Sequence, residues 1–357
     1  MFVKVNMIFQ IVPRLYPSVD GLGDYALTLA LRLKELYQLD THFIVCDPLW
    51  EGGESLQGFK VSRLENRNKC TLFELLKKQN ARTVLLHYVG YGYQNKGLPF
   101  WIVSNLKKWK KGDSNKFVVM FHETYVISHN PFGTLFWVSY LQKLIARDLL
   151  VITDKVVTNK EQYALELNNL SPKSIEIPVI PVFSNIGEIK VLSELGKRKK
   201  RLVVFGGKGY RSKVYQFSEK FIKIAIEKLG IEEIVDIGPS VENCPENICG
   251  VPVISKGILE SVEISQILSE SLAGILNYDP YYLGRSGIFA AYAAHGVVPI
   301  NSQFTDKKVD GLKAQVHYWA PNPTDKLDFQ EIALNANSWY IGHNVDRHAA
   351  LFYEQLR

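Results

Sequence analysis

The residues best suited to chemistry lie in the run Leu283-Gly-Arg-Ser-Gly-Ile-Phe-Ala-Ala-Tyr-Ala-Ala-His-Gly-Val-Val-Pro-Ile300. A turn with two glycines and Arg285 opens a helix of small residues, Gly287–His295, which stops at Gly296 ahead of a strand start. The leftover backbone N–H groups and the positive dipole end at such a helix start attract phosphate. Ser286 and Gly287 stand at that start, and Arg285 adds a charge-assisted fork. Close helix-to-sheet packing explains the same Gly and Ala content, so companion features decide between the two.

Three other segments are such companions. Val203-Val-Phe-Gly-Gly-Lys-Gly-Tyr-Arg-Ser-Lys213 reads as a strand followed by a glycine-rich loop carrying Lys208, Arg211 and Lys213. Three cations in one loop repel one another unless an anion is present, which points to a phosphate-bearing ligand rather than a bare solvated loop. His122 and Glu123 end one predicted strand, and His87 ends the strand before it. Histidine exchanges protons near neutral pH, and Glu123 is placed to orient His122. The plain alternative is a hydrogen-bonded plug. Gly21-Leu-Gly-Asp-Tyr-Ala26 matches the dinucleotide fingerprint G-x-G-x-x-A, with Asp47 where a ribose carboxylate would fall. The eight residues Pro13–Asp20 separate that motif from the preceding strand, and this argues against NAD.

Composition limits the setting. At 357 residues, a prior of roughly one domain per 150 residues predicts two domains. Apolar runs are interrupted by Asn105, Lys107, Gln142 and Lys143, short of the roughly 20 residues a membrane span needs. The start of the chain runs straight into a strand pattern without a cleavage signature, so a cytoplasmic protein is expected. Four cysteines are too few for a disulfide scaffold, and Cys244 with Cys249 lacks the second ligand pair of a metal site. No metal and no nucleic-acid partner are expected. The net charge of +6 suits an anionic small substrate, a membrane surface or nothing specific, and the basic runs Lys107–Lys111 and Lys197–Arg201 read as solvated helix ends or linkers. Leu98–Lys111 reads as a core helix with a basic end in preference to a helix lying on an anionic membrane face.

Strand-like runs alternating with amphipathic helix-length runs specify an α/β protein with parallel sheets. In the first half, strands are expected at Lys4–Val12, His42–Cys46, Thr83–Leu86, Lys116–Phe121, Lys155–Thr158 and Ile175–Pro178. A break at Pro181–Gly187 and a polar linker at Ser193–Lys200 precede a restart at Arg201–Phe205. Helices are then expected at Val214–Leu229, Ser261–Ser271 and Gly287–His295, and Asp328–Leu356 is helical and free to pack back on either domain. The expected domains are residues 1–190 and 191–357, two doubly wound units in series whose strand ends would face one another across a cleft.

With these positions in hand, the chain resembles GT-B glycosyltransferases over nearly its whole length. The carriers of the resemblance are Asp20-Gly-Leu-Gly-Asp24 opening a long helix, the strand end His122-Glu123, the basic pair Lys208 and Lys213, and Ala294-His-Gly-Val-Val-Pro-Ile300. The resemblance implies two Rossmann-like domains, an acceptor domain first and a nucleotide-sugar domain second. It implies hexosyl transfer from a nucleoside diphosphate sugar, as substrate and not cofactor, to a glycan, lipid-linked or other hydroxyl acceptor in cell-surface polysaccharide synthesis. Peripheral contact with the inner membrane face goes with that expectation.

Residue by residue, the resemblance implies Lys208, Arg211, Lys213, Arg285, Ser286 and Gly287 at the donor diphosphate, without a metal. His122, Asp24 and Glu123 are the implied catalytic groups, and Gly21, Gly23, His87 and Tyr282 line the cleft. Tyr88, Tyr91, Tyr93 and Trp101 are expected near the acceptor, where aromatic faces stack on sugars. One departure matters: the commonest members carry two glutamates eight residues apart, and Leu283 and Ala291 stand there. Tyr281, Tyr282, Arg285 and Ser286 are the local substitutes, with Glu260 the weaker one. A catalytically silent binding protein of the same fold, an NAD-dependent dehydrogenase and a sugar-nucleotide epimerase are the alternatives.

Overall fold

The protein is described from a computed structural model, which covers residues 6–18, 20–112, 114–128, 130–242 and 244–357. The predicted start of the first strand at Lys4 lies outside the described residues. The chain divides into two compact units, one running up to Pro181 and taking in Val345–Arg357, the other Val182–Asn344.

In the first unit the order is β1 (Met7–Val12), α1 (Gly21–Tyr37), β2 (Asp40–Val45), β3 (Ser55–Leu56), β4 (Phe59–Arg63), α2 (Thr71–Lys78), β5 (Thr83–Tyr88) and α3 (Gly90–Tyr93). There follow α4 (Phe100–Lys110), β6 (Lys116–Phe121), α5 (Thr134–Ile152), β7 (Lys155–Thr158) and α6 (Glu161–Leu170). The sheet order is β3-β4-β2-β1-β5-β6-β7, parallel except for the β3–β4 hairpin. Period-two alternation sends Ile11 and Ile44 to one apolar cluster, and Val12, Phe43 and Val45 to another. Both faces are therefore covered, as parallel sheets require.

The second unit contains β8 (Lys199–Phe205), α7 (Lys208–Phe217), α8 (Glu219–Leu229), β9 (Glu233–Ile237), β10 (Asn247–Ile248), β11 (Val251–Ser255) and α9 (Ser261–Glu270). It continues through β12 (Ser271–Leu276), α10 (Gly287–Ala294), β13 (Val298–Asn301) and α11 (Phe329–Ile341). Its sheet order is β10-β11-β9-β8-β12-β13, again parallel apart from the short β10–β11 pair. In each sheet the first strand lies between strands reached in opposite directions. The switch points are thus β1/β5 and β8/β12, the places where open α/β sheets bind ligands. The final helix, α12 (Val345–Leu356), packs on α1 and belongs to the first unit.

Several expectations need correction. The domain boundary falls at Pro181/Val182 instead of 190/191, and the chain end is not wholly part of the second unit. Ile175–Pro178 forms no named strand; its extension makes one bridge, Thr158 to Val179. Pro178 and Pro181 flank that bridge and bring no N–H donor to continue it. Ser193–Lys200 is not a free linker, because Leu195 and Arg198 are buried and Arg198 donates to the carbonyls of Ser193 and Ser271. The glycine loop is shorter than expected, with helix beginning at Lys208 and not Val214. The β3–β4 hairpin went unanticipated; its two-residue turn uses Gln57 and Gly58, both at positive φ.

The solvated-end reading holds for Lys107–Lys111 but not for Lys197–Arg201, where Arg198 is buried and Lys199 begins β8. Lys107 pairs with Asp148 and Lys110 with Asp154 at the end of α4, whose Trp101, Ile102, Leu106 and Trp109 are core. Among the described residues no helix is long and apolar enough to cross a membrane.

Candidate active site

In the first unit the site grows from a polar residue inside an apolar strand. β1 reads MIFQIV and is buried along its inner length, so Gln10 must find partners inside the sheet. It has two. Its amide Nε2 donates to Thr41 Oγ1 at 3.3 Å, and its carbonyl oxygen receives Nε2–H of His87 on β5 at 2.7 Å. Nδ1 of His87 lies 3.2 Å from Nε2 of His122, which follows the last residue of β6. Tyr25 of α1 sets its ring edge-on against both imidazoles, with centroids at 5.7 and 4.9 Å. Its hydroxyl donates to Nδ1 of His348 on α12, and the Nε2–H of His348 in turn donates to the Pro181 carbonyl, both at 2.8 Å.

Local structure explains how α1 delivers these groups. Asp20 caps the helix by accepting from the Leu22 N–H, and Tyr25, Ala26, Leu29, Ala30 and Leu33 form its buried stripe. Gly23 is required by contact: a Cβ there would stand 2.6 Å from the Arg14 carbonyl oxygen. Gly21 at the helix start meets no such neighbour. Gly23 is therefore required by close packing, while Gly21 is exposed at the helix start.

Asp24, one residue before Tyr25, is on the helix's first turn and exposed along one edge. Partial burial, with Asp20 adding repulsion, raises its pKa from 3.8 to about 6. Because the folded-state value is raised, the ionised form is the one disfavoured by folding. Stability is full below about pH 4 and declines as the pH rises through 6. Asp24→Asn is expected to melt higher than the parent at pH 8 and to match it at pH 4. Melting curves at both pH values check this, and an advantage of equal size at both would show that the carboxyl titrates normally.

The structure revises several first-unit assignments. His87 is fully buried inside β5, and burial lowers its pKa to about 3, so it is a neutral interior group and not a cleft-lining one. Tyr88, Tyr93 and Trp101 are core residues; of the four expected acceptor aromatics only Tyr91 is exposed, at 50 %. Exposed rings sit instead around the start of α5, at Phe132 (97 %), Trp137 (60 %) and Tyr140. Glu123 is half-buried beside His122. Asp47 is held by Arg14 at 2.7 Å and Arg67 at 3.7 Å, so the would-be ribose carboxylate is already engaged.

In the second unit the β8/β12 switch point gathers the basic residues. Gly206, at φ +129°, lets the chain turn from β8 into α7, and a Cβ there would stand 2.6 Å from Cδ1 of Ile288. The Ile288 side chain on the first turn of α10 therefore lies close against the turn that precedes α7. Lys208 is the first residue of α7 and Lys213 lies on its next turn, exposed. Ser286 caps α10 by accepting the Phe289 N–H at 3.2 Å, and Gly287 begins the helix with open space before it. Arg285 stands over the exposed ring of Tyr282, 5.7 Å from its centroid.

Lys208 pairs with Glu242 at 2.7 Å, both side chains being more than half exposed. Such a solvent-screened pair is weak and gives way readily to a stronger anion.

Arg211 is corrected outright. It is 1 % exposed, ion-paired to buried Asp236, and donates Nε–H to the Gly206 carbonyl at 2.9 Å. Asp236 also receives the Tyr215 hydroxyl at 2.7 Å. Arg211 therefore braces the turn after β8 from inside and does not reach a ligand, so the picture of three mutually repelling loop cations falls away. Leu283 and Ala291, at the glutamate positions, are both buried in the apolar cluster. Glu260 forms a capping box with Glu263, the ordinary helix-start role. Among the described residues no group of three or more His, Cys, Asp or Glu side chains is placed to hold a metal, and all four cysteines are free thiols.

Sequence reasoning missed Gln10, Tyr25 and His348. A glutamine within an otherwise apolar strand was the available signal for Gln10; His348 could be found only from its distant partners.

No family model and no curated protein matches the sequence. Solved structures do match. The pneumococcal O-GlcNAc transferase GtfA, solved with UDP and GlcNAc, superposes with a TM-score of 0.64 at 11% identity, over 98% of each chain. An alpha-glucosyltransferase solved with UDP gives 0.60 at 10% identity, over 98% of this chain and 99% of that one. A putative UDP-N-acetylglucosamine 2-epimerase from Listeria monocytogenes gives 0.52 at 12% identity, over 85% and 80%. The chain therefore has the GT-B fold, as its sequence resemblance implied. At such identities the likeness is one of fold alone.

Proposed function

We propose that the protein is a glycosyltransferase that moves a hexosyl group from a nucleoside diphosphate sugar to a hydroxyl acceptor. The observation that carries this reading is the placing of two helix N-termini after the strands of the β8/β12 switch point, with Lys208, Lys213 and Arg285 on or beside them. Orphan N–H groups, two dipole ends and three cations are the equipment a departing diphosphate needs. UDP accompanies two of the solved relatives of this fold.

In this reading the bond between the anomeric carbon and the diphosphate oxygen breaks, and its electron pair leaves with the diphosphate. The acceptor oxygen forms the new bond to that carbon, and its proton passes to His122. The second unit supplies the positive charge from its own side chains and helix ends, without a metal. The acceptor is a glycan or lipid-linked glycan of the cell surface, reached from the cytoplasmic side; Tyr91, Phe132, Trp137 and Tyr140 offer the exposed rings on which a sugar or an apolar carrier stacks. The buried Leu283 and Ala291 leave the donor's sugar and ribose to other groups, and Tyr282 and Arg285 are the nearest on the same turn.

Thermal shift against a panel of nucleoside diphosphates and NAD tests the reading. A diphosphate at about 100 times its Kd should stabilise the protein by about 2.7 kcal/mol. The Lys208→Ala, Lys213→Ala double variant should lose that shift. Turnover of the matching nucleotide sugar in EDTA then separates transfer from a silent binding protein, and donor conversion without acceptor would mark an epimerase. A response to NAD alone, or to no diphosphate, would sink the proposal.

A further inference from the structure

The chain Thr41–Gln10–His87–His122 has a direction, because each link restricts the next. The Gln10 carbonyl oxygen can only accept, so His87 carries a proton on Nε2. His87 is fully buried and neutral, which leaves a lone pair on its Nδ1. The proton in the 3.2 Å contact must then come from Nε2 of His122. A neutral His122 protonated on Nε2 carries its own lone pair on Nδ1. Without Gln10, His87 is free to move its proton to Nδ1, donate it to His122, and reverse which His122 nitrogen is basic. The edge-on ring of Tyr25 against both imidazoles holds their planes.

We propose that Gln10 and His87 are positioning residues that hold His122 as its Nε2–H tautomer, so that Nδ1 is the nitrogen through which it takes a proton. The turnover consequence rests on the glycosyltransferase reading; the tautomer itself does not.

The test is a proton–nitrogen correlation spectrum of protein labelled with 15N-histidine, joined to kinetics of two variants. Wild type should show the His122 proton on Nε2. Gln10→Leu, apolar in an apolar strand, should move it to Nδ1 or mix the two, and lower kcat by about 100-fold with KM little changed. Gln10→Glu keeps an acceptor opposite His87, with the Thr41 hydroxyl now donating, and should keep both the tautomer and most of kcat. A packing role alone would leave the tautomer unmoved by leucine.

A wild-type proton on Nδ1 of His122, or an unchanged tautomer in a folded Gln10→Leu protein, overturns the proposal, and the wild-type spectrum decides even if that variant does not fold. An Nε2–H tautomer in a protein that turns over no nucleotide sugar would leave this inference standing and remove the proposed function instead.

Discussion

Arg211→Ala should destabilise the second unit by about 3–5 kcal/mol. The substitution leaves the Asp236 carboxyl in the interior with, among the described residues, only the Tyr215 hydroxyl to hold its side chain, while the Gly206 carbonyl loses the guanidinium donor that pins the turn after β8. An uncompensated buried charge, rather than the lost attraction, dominates that cost. Asp236→Asn should cost less, since Arg211 keeps the Gly206 carbonyl and an amide oxygen replaces the carboxylate. The Arg211→Ala, Asp236→Asn pair should recover part of the single-variant loss, because Nη2 of Arg211 is buried without a hydrogen-bond partner among the described residues and burying the guanidinium is itself expensive. Urea unfolding of the four proteins measures the coupling as a double-mutant cycle. A loss under about 1 kcal/mol for Arg211→Ala would return this residue to the list of ligand-binding cations.

His122→Ala should lower kcat by about 100- to 10,000-fold, the range typical of a positioned general base, with KM changed little. The expected fold cost is modest, since the main group left behind is one acceptor nitrogen on His87 beside the retained Gln10 contact. Initial rates with the nucleotide sugar identified by thermal shift check it, alongside melting curves that establish folding. A retained kcat would shift the proton-accepting role to Asp24, whose raised pKa of about 6 already suits proton transfer near neutrality, and Asp24→Asn would then carry the loss.

Much of the architecture was legible in the residues. Alternating strand and helix lengths, the restart near Arg201 and the Gly296–Ile300 strand entry give the order of elements almost throughout. The start of α10 was legible as well, because Ser286 and Gly287 are local signals for a helix start, whereas the start of α7 at Lys208 was read as loop. The side-chain assignments fared less well. Tyr88 and His87 end a strand covered on both faces, and such a strand shows no apolar–polar alternation from which to read which way a residue points. Trp101 and Tyr93 were read as site aromatics for their chemistry, yet core filling uses the same chemistry. Arg211 sits amid lysines in the chain, but its partner Asp236 comes from a neighbouring strand, β9.

What the sequence alone determined is therefore what local patterning encodes: element type, the two sheets, and the start of α10. Only the tertiary structure decided which charges are already neutralised and which polar groups meet in the interior. Gln10, His87 and His122 lie on adjoining strands β1, β5 and β6, and Tyr25 meets a histidine from the last helix of the chain. Hydrogen-bond direction and burial depend on distances of a few ångströms between residues far apart in the chain, and local propensity does not encode those distances.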